Sequence, residues 1–225
     1  MSDQNFIREV EEAVRHERYR ALWDRFGLYV IAAGALIVVG VAGYKGWAHW
    51  ERSRTETAGS EFSRALILQD KGQADKAREL LADLAKKGPP GYRLLARFQL
   101  AVAAAQAGKT DEAVATYDAL AADANDRVLK GLATVQAATL RLDQAEYAEM
   151  ERRLKPLIDG GSQWRYSARE LLGLSAYRLK NMSEAEKQFG ELLADRGTPA
   201  NLRERAEVML SVIGGSPQAL STTAN

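Results

Sequence analysis

The sequence predicts an all-α protein in which a single N-terminal transmembrane helix is followed by an α-solenoid of degenerate helix hairpins. Two observations support this fold class. Residues 26–44 contain no charged side chain, which is typical of a membrane-spanning helix. Farther along the chain, alanines that open similar stretches recur at intervals of 36, 35 and 37 residues, which is typical of stacked helical pairs.

The predicted transmembrane helix covers residues 26–46. From Phe26 to Tyr44 every residue is apolar, small or tyrosine. As a helix this run is roughly 28 Å long, close to the hydrocarbon thickness of about 30 Å. Trp23 and Trp47 flank it, at the depths that aromatic rings favour. The alternative is a buried helix of a soluble core, although such helices are usually shorter. The run is also longer than the apolar part of a cleaved signal peptide.

The other segments are defined relative to this span. We predict a cytoplasmic helical arm at 1–25, a juxtamembrane helical connector at 47–60, the solenoid with a C-terminal capping helix at 61–213, and a disordered tail at 214–225. Within about 20 residues of the uncharged run 26–44, five basic residues precede the run and four follow it, the first of which is Lys45. This small excess favours a cytoplasmic N-terminus and a C-terminal domain on the other side. The arm is either a solvated extension of the span or a docking helix for a membrane partner.

Four stretches in the predicted solenoid share one pattern. They begin at Ala77, Ala113, Ala148 and Ala185, each after a short polar turn. In three of them a large apolar or aromatic residue follows four positions later, whereas the third has an arginine there. A small residue early in the second helix of a pair lets the first helix lie against it. We therefore predict four hairpins that bury their apolar faces by stacking.

The arm is the most distinctive part of the sequence. It reads EVEEAVRHERYRALWDRFG from Glu9 to Gly27 and leads directly into the predicted span. Together with the hairpin array, it resembles the bacterial family of single-span, tetratricopeptide-repeat-like proteins that are described as the ancillary subunit of the Sec translocon. His16 stands where that family tends to have arginine.

This resemblance implies a location and partners. It implies a single-pass protein of the bacterial inner membrane, with a cytoplasmic N-terminus and a periplasmic C-terminal domain. It also implies binding to the SecYEG translocon and to periplasmic chaperones or emerging client segments, beside the contact with membrane lipid. These expectations come from the family and agree with the orientation that the basic residues favour.

The composition gives no indication of catalysis. The formal net charge is +1 and the chain has no cysteine, so neither a basic surface for nucleic acid nor a thiolate metal site is indicated. The two histidines, His16 and His49, flank the predicted span on opposite sides. No nucleophile motif, phosphate-binding loop or zinc spacing is present. We therefore predict a protein that is not an enzyme and that uses no cofactor, metal, nucleic acid or small-molecule substrate.

The first helix of each pair is expected to line the concave groove of the solenoid. By register, the predicted partner-binding residues are Gln69, Phe98, Val102, Gln106, Lys130, Ala137, Arg141, Glu170, Leu174 and Tyr177. Repeats that dock chaperone tails use a basic and amide clamp for a terminal carboxylate, whereas this chain has Phe98 and Val102 at those places. The pattern therefore favours apolar or helical partner segments over charged C-termini. The alternative is that the apolar members serve only the packing between repeats.

Together these observations predict a membrane-tethered, non-catalytic scaffold. It would bind the Sec translocon and periplasmic chaperones or emerging clients through its helical repeats. A tether near a membrane channel raises the effective concentration of the domain for nearby partners, so weak contacts suffice. The alternative function is an envelope-assembly or cell-division scaffold that uses the same groove.

Overall fold

The computed structural model describes the backbone of residues 3–214 and the side chains of residues 28–29, 31–32 and 34–214. The predicted tail, apart from Gly214, and the side chains of the predicted arm lie outside the described residues. Residues 26, 27, 30 and 33 of the predicted span are likewise described by their backbone alone. Within the described set, no helix combines the length and the apolar character needed to cross a membrane.

Nine helices make up the described part of the chain, which confirms the all-α prediction there. They are α1 (Asp3–Asp70), α2 (Ala74–Lys87), α3 (Pro90–Gln106), α4 (Thr110–Asp123), α5 (Arg127–Arg141), α6 (Tyr147–Asp159), α7 (Arg165–Arg178), α8 (Met182–Ala194) and α9 (Ala200–Gly214). The chain divides into two compact units, Met1–Thr57 and Ala58–Asn225.

The first unit consists, in its described part, of α1 up to Thr57. Its large apolar side chains are each more than half exposed: Leu28, Tyr29, Ile31, Leu36, Ile37, Val38, Val39, Val41, Tyr44, Trp47 and Trp50. At the polar end of this run, the guanidinium of Arg54 lies 5.2 Å from the centre of the Trp50 ring. A contiguous exposed apolar surface of this kind is unusual unless another phase or protein covers it.

The second unit is an array of hairpins that pack in chain order. The end of α1 pairs with α2, α3 with α4, α5 with α6, and α7 with α8, and α9 packs against α8 and α7. Each of its hydrophobic clusters joins one hairpin to the next helix along the chain: α1, α2 and α3, then α3, α4 and α5, then α5, α6 and α7, then α7, α8 and α9. The predicted solenoid of stacked hairpins is therefore confirmed for this unit.

Small residues allow the two helices of a pair to approach closely. Ala77, Ala113 and Ala185 are fully buried, each four positions after the N-cap of its helix. Twelve positions earlier, on the first helix of each pair, the chain has the buried residues Ala65, Ala101 and Gly173. A Cβ added to Gly173 would lie 2.8 Å from Cζ of Phe189, so only glycine fits at that crossing.

The predicted start of the third unit is wrong by two residues. Ala148 is exposed, whereas Met150, four positions after the N-cap Glu146, is fully buried. The cause is the turn between α5 and α6, which has five residues where the other three hairpins have three. Because this turn is longer, the buried position of the second helix moves along the chain, and Ala138 becomes the small residue that faces it.

The turns themselves explain why the third differs. Gly72 and Gly108 adopt φ of +73° and +74° in the first two hairpin turns, and Lys180 adopts +60° in the fourth. Left-handed backbone of this kind closes a short turn after a helix and favours glycine. No described residue of the α5–α6 turn has a positive φ, so this turn closes over more residues instead.

Candidate protein-binding groove

The candidate site is the surface of the four first helices, namely the end of α1, α3, α5 and α7. Two register positions define it, three residues before and one residue after the buried small residue. In α3 these are Phe98 and Val102, and in α7 they are Glu170 and Leu174. Residues four apart on a helix lie on one face, so each helix presents these positions together.

Neighbouring first helices are linked by direct contacts or by a shared core cluster, so their faces lie next to one another. The side-chain amide of Gln99 on α3 donates to Oε1 of Gln69 on α1 at 2.7 Å. Phe98 packs on the cluster that contains Ala133 and Ala137 of α5. The helices α5 and α7 are also in contact. We define the groove as the surface made by these register positions on the four helices.

The apolar residues of the predicted groove are half-buried and take part in packing. Phe98 lies edge-on to Tyr117 of α4, with ring centroids 5.7 Å apart and an interplanar angle of 60°. Leu174 and Tyr177 pack against the core of the last hairpin. Val102 is half-buried without being part of a core cluster. The interior face of these side chains therefore stabilises the array, and only the remaining part is available to a partner.

Three polar residues of the predicted groove already have intramolecular partners. Gln69 accepts the hydrogen bond from Gln99. Glu170 pairs with Nε of Arg205 on α9 at 2.5 Å, and its side chain is only 15 % exposed. Arg141 contacts Glu149 and Asp111, both at 3.3 Å. Gln106, at the end of α3, is exposed.

The third unit contributes different residues from those that the sequence predicted. Ala137 is fully buried, so it cannot present its side chain to a partner. Lys130 is exposed, but it lies beside a cleft between α5 and α6. The register of Ala138 places Val135 and Thr139 at the positions that Phe98 and Val102 occupy on α3; Val135 is buried in the core, so only Thr139 is exposed there. One signal in the sequence points to this shift, namely Leu154, which lies four residues after Met150.

A network of ion pairs connects the third hairpin, α5 and α6, to α4 of the second hairpin. Arg153 of α6 reaches Asp118 of α4, with Nη1 and Oδ1 2.5 Å apart, and also contacts Glu149 at 3.2 Å. Hydrogen bonds from Arg141, and then from Arg153, hold the pKa of the Glu149 carboxyl below its usual range. Asp118 in turn raises the pKa of the Arg153 guanidinium. These charges connect α4, α5 and α6 where the apolar pattern of the sequence is weakest.

A second polar cluster lies between α6 and α8. The hydroxyl of Tyr147 donates to Oε1 of Glu184 at 3.0 Å, and the amide of Gln188 donates to the same oxygen at 2.7 Å. Burial and the adjacent carboxylate raise the pKa of the Tyr147 hydroxyl far above its usual value. The hydrogen bond from Gln188 lowers the pKa of Glu184. A phenol held neutral and a carboxylate held ionised serve here as a fixed hydrogen-bonded pair between two helices.

Neither cluster has the composition of a metal centre. Among residues whose side chains the structure describes, no group of three or more histidine, cysteine, aspartate or glutamate residues could hold a metal ion. The carboxylates near the groove pair with arginines, as at Glu149 and Glu170. The arrangement therefore offers a shaped surface with fixed charges, which is suited to contact with another chain.

The comparisons with known proteins agree with this geometry. A sequence-family model described as a tetratricopeptide repeat-like domain matches residues 20–214. No curated protein and no solved structure matches the chain. The matched region contains all four hairpins and α9, and therefore the whole of the groove.

Proposed function

The chain belongs to the tetratricopeptide repeat-like family, and from this premise we propose that it is a non-catalytic scaffold that binds segments of other proteins in the groove. Such repeats commonly mediate protein–protein interaction, because stacked hairpins present an extended surface. The observation that carries the proposal is that successive first helices share direct contacts or a core cluster, which places their register positions side by side.

The chemistry of the groove favours apolar or helical segments. Its cations and carboxylates, such as Arg141 and Glu170, are engaged within the protein. Val102 and the register-corrected Thr139 stay accessible. A partner would therefore gain more from burying apolar surface than from pairing charges, which is the way in which an amphipathic helix binds a groove.

We further propose that residues 26–46 tether the scaffold to a membrane. In the described part of this segment the large apolar side chains are more than half exposed. A Cβ added at Gly34, Gly40 or Gly43 would have no described atom within 4 Å, so the surface of the helix is open at these glycines in the part of the chain that the structure describes. Burying this surface in lipid removes it from water at about 25 cal/mol per Å². The small excess of basic residues before the segment supports a cytoplasmic N-terminus and a periplasmic solenoid.

The partners we propose are those that the sequence of the arm suggests. The SecYEG translocon is proposed as the membrane partner, and periplasmic chaperones or emerging client segments as the occupants of the groove. Support comes from the resemblance of residues 9–27 and from the family membership of the rest of the chain. A tethered domain beside a channel meets such segments at a high effective concentration.

Co-purification of the full chain with the SecYEG channel, from detergent-solubilised membranes, tests this function. A double variant, Val102→Glu with Thr139→Glu, adds charge to the groove at two accessible positions. Val208→Glu is the matched control, because Val208 is 58 % exposed on α9, outside the groove. We expect client segments or chaperones to be lost from the complex with the double variant only, while helicity by circular dichroism is unchanged. Recovery of a cell-division or wall enzyme in place of channel subunits would support the alternative scaffold.

A further inference from the structure

The third hairpin contains a cleft that the groove does not use. It lies between the start of α5 and the end of α6, with a volume of about 350 Å³. Val128, Pro156 and Leu157 provide its apolar lining, and Arg127 and Lys130 stand at its edge on α5. The Gly160–Gly161 turn closes the α6 side. Because these residues come from helix ends, the cleft is separate from the register positions that define the groove.

The cleft arises from the altered register of the third unit. Met150 occupies the buried position that alanine occupies in the other three units, so α6 cannot approach α5 as closely. The two helices contact each other less than α3 contacts α4 or α7 contacts α8. The space that opens at their ends is therefore a consequence of side-chain size in the core.

Trp164 is in contact with the α5 wall of the cleft. Its indole N–H donates to the carbonyl oxygen of Val128 at 2.8 Å, and a Cβ at Gly131 would overlap its ring. The start of α5 is thus held against the residue that precedes α7, and the gap against α6 is present in the folded protein. A preformed cavity binds a ligand without the cost of ordering its walls.

The charges at the cleft have one sign. Arg127 and Lys130 form no ion pair with any residue that the structure describes, and the residues that line the cleft include no carboxylate. Next to it, on the other side of the α5 N-terminus, a second cleft of about 490 Å³ is lined by charges of both signs, namely Lys86, Arg93 and Arg97 with Asp123 and Asp126. Two unpaired cations beside an apolar cavity complement a bulky apolar side chain with carboxylates next to it.

We infer that this cleft is a second protein-binding site, which accepts an apolar side chain from an acidic segment of a partner protein. The apolar side chain enters between Val128, Pro156 and Leu157, and the neighbouring carboxylates pair with Arg127 and Lys130. This site differs in its chemistry from the groove, whose charges are already paired. The scaffold would thus bind two segments of different composition at the same time.

Fluorescence anisotropy on the full chain in detergent micelles tests the inference. The probe is a labelled peptide with a Leu-Phe pair between two flanking aspartates on each side, and the matched probe has lysines at the flanks. We expect the acidic probe to bind and its affinity to fall with added salt, since exposed charges are screened. Charge reversal at both cations, Arg127→Glu with Lys130→Glu, should weaken binding by about tenfold or more. Val128→Glu, at a position that is 44 % exposed, should also weaken binding of the acidic probe.

Two control variants distinguish binding in the cleft from binding in the groove and from general attraction to a basic surface. Lys71→Glu reverses an exposed charge in the first hairpin turn and should leave the affinity within about twofold. Val102→Glu alters the groove and should also leave the affinity for the acidic probe unchanged. Loss of partner binding in the groove therefore does not imply loss of binding in the cleft. The inference would be overturned if the lysine-flanked probe bound as tightly as the acidic probe, or if the charge-reversal variant bound the acidic probe as tightly as the unmodified chain. Binding only to anionic lipid vesicles would overturn it too. The inference would also be overturned if the acidic probe did not bind when the protein is at about 1 mM, since a Kd in this range corresponds to a binding free energy of only about 4 kcal/mol.

Discussion

At the scale of single residues, the clearest constraint is the crossing of α7 and α8 at Gly173. A Cβ there would lie 2.8, 2.9 and 3.1 Å from three carbon atoms of the Phe189 ring. Phe189 is itself fully buried, so the ring has no free space into which it could move. We predict that Gly173→Ala lowers the free energy of unfolding by about 1–3 kcal/mol, the usual cost of overpacking.

The same hairpin provides the control for this prediction. Gly190 lies within α8 and has no atom within 4 Å of a Cβ position. Gly190→Ala should be neutral or stabilising by up to about 1 kcal/mol, because alanine is the better helix former. Urea unfolding of both variants in the full chain, followed by circular dichroism, gives the comparison. Equal stability of the two variants would show that the helices do not cross at Gly173.

Glu149 gives a prediction about pH. Its folded-state pKa is lowered, first by Arg141 and then by Arg153, so its contribution to stability is present at pH values above the unfolded-state pKa. That contribution is lost as the pH falls through the lower folded-state pKa. Glu149→Gln should therefore cost on the order of 1 kcal/mol at pH 7, and much less at an acidic pH below the folded-state pKa, where the native carboxylate is protonated.

Glu151, on the same helix, is the matched control. It pairs with Lys155 at 3.5 Å, and both side chains are about half exposed. Glu151→Gln should change the stability by no more than about 0.5 kcal/mol at either pH. The unfolding midpoints of the two variants, measured at both pH values, test whether only the loss at Glu149 depends on pH. A loss at Glu149 that does not change with pH would contradict an electrostatic role for the network.

At the scale of helices, the third hairpin tests the corrected register. Met150 is fully buried on α6 and Ala148 is exposed. Met150→Ala should cost about 2–5 kcal/mol by leaving a cavity, whereas Ala148→Leu should change the stability by less than about 0.5 kcal/mol. If the register predicted from the sequence were correct, Ala148→Leu would be the more destabilising substitution, because leucine would then be forced into a helix crossing. Thermal unfolding of the two variants distinguishes the registers directly.

The helices were largely predictable because the chain repeats its local signals. Polar turns with Gly72 and Gly108, and small residues such as Ala77 and Ala113, define hairpins from neighbouring residues alone. The third hairpin was not predictable in this way, since its turn is two residues longer than the other hairpin turns and its core position has Met150. A periodic pattern cannot reveal that a turn is two residues longer, because only the packing of the next helix fixes the register.

The residues of the candidate site were less predictable than the helices. Phe98 and Tyr177 have the expected register, but the structure shows that they also pack against core clusters. Sequence spacing identifies the face on which a side chain lies, and it does not show how much of that side chain a neighbour covers. The ion pairs of Arg141 and Glu170 connect residues of different helices, which no local pattern encodes.

At the scale of the whole molecule, the proposed tether makes a separate prediction. Extraction of membranes with alkaline carbonate should leave the full chain in the pellet if residues 26–46 span the bilayer. A variant with Val38→Lys and Val39→Lys should be released, since a lysine at the centre of a span costs about 2.5–3.5 kcal/mol. Val208→Lys on α9 serves as the control and should stay with the pellet. Release of the unmodified chain would contradict the tether.

The central claim is that the four first helices together form a protein-binding groove. Photo-cross-linking from single positions tests it most directly, with the probe at Val102 on α3, Thr139 on α5 or Leu174 on α7, and at Glu79 on α2 or Glu186 on α8 for comparison. We expect adducts with the same partner proteins from all three groove positions and none from the second helices. Adducts that form equally from both sets, or only from the second helices, would contradict it.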